Sequence, residues 1–405
     1  MRAVLTNFGT VGDFRPLLTL AGELAGHGHT CVLAFPPFAR SMVEHTPFAF
    51  VPLGPDLAAL RDHVNISWAE MPDIYQSADQ MLALLMPFRE AFDQIFRELK
   101  HACEDADVLI SGPAQPLARM VHEVTGIPFV SIQLSHFGGS GGPALRDAGD
   151  QLINPFRQKL GLAPVNDPLT LGANSPQLAI YAMSVHLRPR PADWPSHYHL
   201  TGFFSDHKES LASPDPALEE FVMSGPAPVV ITLGSLAHSE PDALAELLRD
   251  SALMAGCRAV IQGIPADSMP RQSNPDIFWA GFAPHSWLFP RAACVVLHGG
   301  AGTAAATFRS GVPGIFVPHG DCYDQRYWGQ LAVEAGCSVP AIPYSDLTAA
   351  NLAEAIKATL DSQQLRAAAA SLGAKIRREP GVRLAGRLIA EFVARVGLCR
   401  EYVEP

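Results

Sequence analysis

Cysteine is scarce in this sequence, and its placement excludes more than its number does. Seven cysteines (Cys31, Cys103, Cys257, Cys294, Cys322, Cys337 and Cys399) are scattered over 405 residues without a C-x-x-C pair. That pattern argues against a disulfide framework or a structural zinc site and reads as the reduced thiols of a cytoplasmic protein. Charge is also low, at 17% of residues, and unbalanced, with a formal net charge of −11. Such a chain has no general attraction for nucleic acid or anionic lipid. No apolar run approaches the ~20 residues of a membrane-spanning helix. The opening residues carry one arginine and a short apolar stretch before Asp13. A first β-strand is expected there rather than a signal peptide. The polar loop 319–325 holds no D-x-D pair, since Asp321 and Asp324 stand three apart, and no His/Cys cluster has metal-ligand spacing.

What is present is apolar material in short runs. Hydrophobic residues make up 48% of the chain, enough for two substantial cores at this length. Residues 1–8 read as a strand, and 14–27 as a helix turning Leu17, Leu18, Leu20, Ala21 and Leu24 inward. Cys31 to Phe35 is a second strand. Asp107 to Ser111 and Phe129 to Ile132 are continuous apolar runs of the kind buried on both faces of a parallel sheet. Pro189, Pro191 and Pro195 then interrupt regular structure. A linker is expected near residues 203–215. Val229 to Leu233 opens a second series of strands and ends in Gly234-Ser235. The last helical pattern, about 382–396, sets Leu384, Leu388, Ile389, Phe392 and Val396 on one stripe.

The most informative stretch is His298-Gly299-Gly300-Ala301-Gly302-Thr303, after the apolar run Ala293 to Leu297 and before the small-residue helical pattern from Ala304 to Arg309. A strand, a glycine-rich turn and a helix start together make an anion site. Unpaired N–H groups and a partial positive charge face outward, and glycine lets the backbone come close to a phosphate. A glycine-rich turn with a surface histidine is the plainer reading of the same residues. Downstream, Gly314 to Pro318 reads as the next strand, followed by the polar loop His319-Gly320-Asp321-Cys322-Tyr323-Asp324-Gln325. Two neighbouring strand ends would then carry a phosphate cradle and a carboxylate–carboxamide pair suited to sugar hydroxyls.

The segments HGGAGT, GVPGIFVP and DQRYWG at this spacing resemble the donor-site signature of the inverting nucleotide-sugar glycosyltransferases of the GT-B fold, the UDP-glycosyltransferase superfamily (glycosyltransferase family 1). They are similar in particular to a bacterial branch that includes antibiotic aglycone, rhamnolipid and sterol glycosyltransferases. Gly9, Gly12, Asp13, Pro16 and Leu20 match that branch's G-x-x-G-D-x-x-P-x-x-x-L opening. The resemblance implies an α/β chain with two Rossmann-like doubly wound domains facing each other across a cleft. An acceptor-binding domain would take 1–205 and a nucleotide-sugar domain 215–381. The final segment, 382–405, would form a helix returning to the first domain.

The resemblance also implies roles. His298, with the N–H groups of Gly300, Ala301, Gly302 and Thr303, would hold the diphosphate, and Gly12, Gly234 and Ser235 would add contacts to the donor. Phe282 would stack on the nucleotide base, with Trp287 as an alternative or both as core residues, and His285 would follow it with contacts to the base. Asp324 and Gln325 would read the sugar. Where plant relatives place a ribose-binding glutamate, this chain has Ala306. Asp13 would be the general base that accepts the acceptor's proton, or else a cap of the following helix. An ordinary aspartate is a weak base, with a pKa of ~4. The end of the Asp107–Ser111 strand, where histidine-based relatives keep a second aspartate, reads Ser111-Gly112-Pro113. His136, Ser135 and Phe8 are the candidate acceptor-side residues. Segments 56–90 and 134–160 would line an acceptor cleft, and the methionines and aromatics of the first suit a lipophilic or aromatic ligand as well as a core. The expected reaction is metal-independent transfer of a hexose from a UDP- or dTDP-sugar, with no cofactor and no nucleic-acid partner. Transient membrane association follows only for a lipid acceptor. A nucleotide-sugar epimerase or a non-catalytic partner protein is the alternative on the same fold.

Overall fold

The computed structural model describes residues 1–401 apart from residues 10, 56–78, 80, 81, 83–85, 87, 88, 136–141, 206–213, 235–239, 270–273, 282 and 320–324. Among the described residues twelve strands form two sheets, and every strand pair in both is parallel. The first sheet holds β1 (Arg2–Thr6), β2 (Thr30–Phe35), β3 (Ala49–Pro52), β4 (Val108–Ser111), β5 (Phe129–Gln133), β6 (Leu178–Tyr181) and β7 (Tyr198–Leu200), in the order β3-β2-β1-β4-β5-β6-β7. The second holds β8 (Val229–Thr232), β9 (Ala259–Gln262), β10 (Ile277–Ala280), β11 (Cys294–Leu297) and β12 (Gly314–Phe316), in the order β10-β9-β8-β11-β12.

The composition of the strands explains this arrangement. β4, β5, β6, β8, β9 and β11 are buried along their whole length, which requires layers of helix on both faces. In each sheet the strand order reverses next to the first strand: between β1 and β4, and between β8 and β11. Chain leaving the two strands at such a reversal diverges to opposite faces and opens a crevice at their carboxyl ends.

The first helix runs Val11–Gly26 and packs Phe14, Leu17, Leu20, Ala21 and Leu24 into the core of the first sheet. The last, Val382–Glu401, joins the same core through Val382, Ala385, Ile389 and Phe392. A second cluster takes Tyr181, at the end of β6, and Met183, just after it, and packs them with Phe203, Phe308 and Trp328. The two connections between the domains lie side by side. Gly381 N–H donates to the Thr201 carbonyl at 2.9 Å. Just before it, the buried Glu379 carboxylate accepts from Ser184 Oγ at 2.8 Å and from Val185 N–H at 3.1 Å. Among the described residues no helix is long and apolar enough to cross a membrane.

Candidate active site

The second sheet's reversal point carries the glycine motif. β11 ends at Leu297, so His298 and the helix Ala301–Ser310 emerge at the crevice, beside Gly234 at the end of β8. The His298 ring is held between two glycines. A methyl group at Gly300 would lie 2.5 Å from His298 Nε2, and one at Gly234 would lie 3.1 Å from Cε1. Gly234 also has φ +99°, a conformation that side chains rarely adopt. Gly300 precedes the helix in an extended conformation and has no side chain to cap it. The first turn of the helix therefore starts at the crevice, where a helix N-terminus favours negative charge. Gly302 is exposed and Thr303 half-buried, so this turn is reachable, whereas His298 itself is only 9% exposed.

The sugar-side loop is built against the same motif. A Cβ at Gly299 would lie 2.7 Å from the Gln325 carbonyl, so the two loops touch through bare backbone. Gln325 is buried, and its Oε1 accepts the His319 N–H at 2.7 Å. The His319 ring stacks on Tyr344 at 4.1 Å and lies 6.4 Å from the His298 ring. Nothing in the sequence marks His319 beyond its place in a polar loop. Its partner Tyr344 is 25 residues away, and no local pattern announces that pairing.

His285 opens the short helix His285–Leu288, and its ring stacks on Phe289 at 4.2 Å. Burial pushes its pKa down to about 4, with the Arg15 guanidinium and His298 adding to the effect. It is therefore neutral near pH 7. Arg15 belongs to the first helix, so the start of that helix lies near enough to His285 for its charge to be felt there. Trp287 is half-buried beneath the Arg291 guanidinium, 4.8 Å from its ring centre.

The first sheet's reversal point carries Asp13. Gly9 turns the chain out of β1 at φ +121°, and the Asp13 carboxylate folds back onto it. A methyl group at Gly9 would lie 2.4 Å from Asp13 Oδ2. The helix begins at Val11 rather than at residue 14, which places Asp13 inside its first turn and corrects the capping alternative. In that turn a carboxylate interacts with the helix dipole. Pro16 lies further in, without the N–H that would bond the Gly12 carbonyl. Gly12 is exposed, and Asp13 is half-buried beside it. Asn7, which the sequence did not single out, is fully buried and donates from Nδ2 to the Asp13 carbonyl at 3.0 Å.

Of the acceptor-side candidates, Phe8 packs into a core cluster with Val4, Val32 and Leu53, and Ser135 is buried at the end of β5. His136, Ser235, Phe282 and Asp324 lie outside the described residues, as does most of segment 56–90. The structure thus brings His298, Gly300–Thr303, Gly234, Gln325 and His285 together and sets Arg15, next to Asp13, opposite them.

Comparison with known proteins agrees with this architecture. Residues 3–137 match the glycosyltransferase family 28 N-terminal domain. Residues 250–390 match the erythromycin biosynthesis protein CIII-like C-terminal domain. An O-mycaminosyltylonolide 6-deoxyallosyltransferase of Streptomyces fradiae is 27% identical over 97% of both chains. A sterol 3-beta-glucosyltransferase of Arabidopsis thaliana is 27% identical over 97% of this chain but 65% of its own length. Among solved structures, the calicheamicin glycosyltransferase CalG4 superposes with a TM-score of 0.73 at 17% identity, covering 98% of each chain. The glycosyltransferase VinC, solved in complex with dTDP, gives 0.69 at 19% identity, covering 98% of this chain and all of its own. The chain is a glycosyltransferase with the GT-B fold of these structures. The relatives it matches include antibiotic and sterol glycosyltransferases.

Proposed function

We propose that this protein transfers a hexose, with inversion at the anomeric carbon, from a UDP- or dTDP-sugar to a hydroxyl of a lipophilic or aromatic small molecule, a natural-product aglycone. The observation that carries the reading is the pairing of two reversal points. One presents His298 and a helix N-terminus, and the other presents Asp13. A diphosphate at the first site would have its departing charge met by backbone N–H groups and an imidazole. Each such donor is worth about 2.7–4 kcal/mol in a transition state. The acceptor oxygen forms a bond to the anomeric carbon as the bond to the diphosphate oxygen breaks, and that electron pair leaves with the diphosphate. The acceptor's proton passes to the Asp13 carboxylate. In this reading Gln325 and Asp324 address the sugar, His285 serves as a neutral hydrogen-bonding group, and transfer proceeds without a metal.

Release of UDP or dTDP from sugar donors, measured against a panel of aglycones, tests the activity. Asp13→Asn tests the base. With an alcohol acceptor the rate should fall on the order of 10²–10⁴. The loss of a first-turn carboxylate should cost stability only about 0.3–1 kcal/mol. Full activity of the Asn variant on that alcohol removes Asp13 from the chemistry.

A further inference from the structure

The first sheet's reversal point contains a buried amide that the proposed chemistry does not use directly. Asn7 has no exposed surface. Both ends of its carboxamide are committed: Nδ2 donates to the Asp13 carbonyl at 3.0 Å, and Oδ1 accepts the Ala114 N–H at 3.1 Å. Gly112 is pressed flat against it, since a methyl group there would lie 2.4 Å from Asn7 Cγ and Nδ2. The chain leaving β4 is thus tied to the chain entering the first helix through one side chain. Thr6 and Gln115 add a parallel link, with Gln115 Nε2 donating to Thr6 Oγ1 at 3.2 Å.

From this geometry we infer that Asn7 is the positioning residue for Asp13, an inference that rests on the reading of Asp13 as general base. The end of β4 supplies no carboxylate to orient the base. It supplies a backbone N–H and a flat glycine surface, and these fix the plane of the Asn7 amide. That amide pins the backbone of Asp13, and Gly9 leaves room for the carboxylate to fold back. A proton acceptor must stand within hydrogen-bond reach of the attacking hydroxyl, and a displacement of about 1 Å costs on the order of 10²-fold in rate.

The test uses the full chain with two variants. Asn7→Asp keeps the size and the acceptor for Ala114 N–H but replaces the donor to Asp13 with a second acceptor. Asn7→Leu removes both bonds, and if it fails to fold, the Asp variant still decides the question. Two acceptors are compared: the alcohol identified with the wild type, and a nitrophenol assayed above its pKa, which has already lost its proton. The alcohol rate should fall about 10–100-fold. Donor KM, UDP or dTDP affinity by calorimetry, and the rate on the ionised nitrophenol should stay near wild type. An unchanged alcohol rate in a folded variant overturns the inference, and so does an equal loss on both acceptors. Asp13→Asn is run alongside. If it also loses only the alcohol rate, the base reading stands whatever Asn7 does. If it keeps the alcohol rate, the base reading falls and the inference falls with it.

Discussion

Gly300→Ala separates what a glycine does for a side chain from what it does for the backbone. At φ −60° and ψ 143° Gly300 occupies a conformation that alanine adopts freely. The added methyl group, however, would stand 2.5 Å from His298 Nε2, 3.1 Å from Cε1 and 3.4 Å from Cδ2. Comfortable non-bonded separations are about 3.5–4.0 Å, so the ring must move by roughly 1 Å. Gly234 also lies close to the ring, since a methyl group there would stand 3.1 Å from His298 Cε1. A 1 Å displacement of a group meant to meet a developing oxyanion costs about 10² in rate. Outright removal of such a donor costs about 10²–10³. Gly300→Ala should therefore approach His298→Ala in kcat/KM and lose affinity for UDP or dTDP, with a stability cost of about 1–3 kcal/mol for the displaced ring. Gly311, at the other end of the same helix, is the matched control. It has φ +80°, and no atom lies closer than 3.4 Å to its would-be methyl group. Gly311→Ala should lower stability by roughly 1–2 kcal/mol, the cost of a left-handed non-glycine residue, and leave kinetics alone. Calorimetric nucleotide titration, steady-state rates and thermal melts on the three variants read all of this. A Gly300→Ala enzyme with wild-type affinity and turnover would refute the placement of His298 at the diphosphate.

Two further outcomes follow from the same geometry. Asp324→Ala and Gln325→Ala should lower turnover with the full sugar donor far more than they lower affinity for bare UDP or dTDP; proportional losses would mean that the loop contacts the nucleotide instead. His285, with its pKa lowered from 6.5 to about 4, binds fewer protons folded than unfolded across that window. Its contribution to stability is present above pH 6.5 and is lost as pH falls toward 4. Denaturant melts of wild type and His285→Gln should therefore converge on acidification, and a constant difference between them would contradict a buried neutral imidazole.

Much of the donor site was legible because its signals are local. β11, the turn His298–Gly300 and the helix Ala301–Ser310 are consecutive, so composition alone marks strand, cradle and helix start. β3, β6, β7, β9 and β10 carry no comparable signal in the sequence, although β4, β8, β11 and β12 are as short and do. The helix at Val11 was placed late because Val11 and Gly12 are weak helix formers; folding of the carboxylate onto Gly9 depends on a backbone angle invisible in the sequence. Asn7 escaped notice for a different reason. Its partner Ala114 lies 107 residues away, and a buried asparagine looks like any polar residue after a strand until the sheet brings β1 and β4 together.

The chain crosses between its two halves twice, and the crossings are fastened to each other where Gly381 meets Thr201 and Glu379 meets Ser184. The same place is packed by Tyr181, Met183, Phe203, Phe308 and Trp328, so polar links and apolar contacts make one compact seam between the halves. His298 and Asp13 belong to different halves. Whatever loosens that seam alters how one half is set against the other, and Glu379→Gln, at a residue of neither candidate site, is expected to do so.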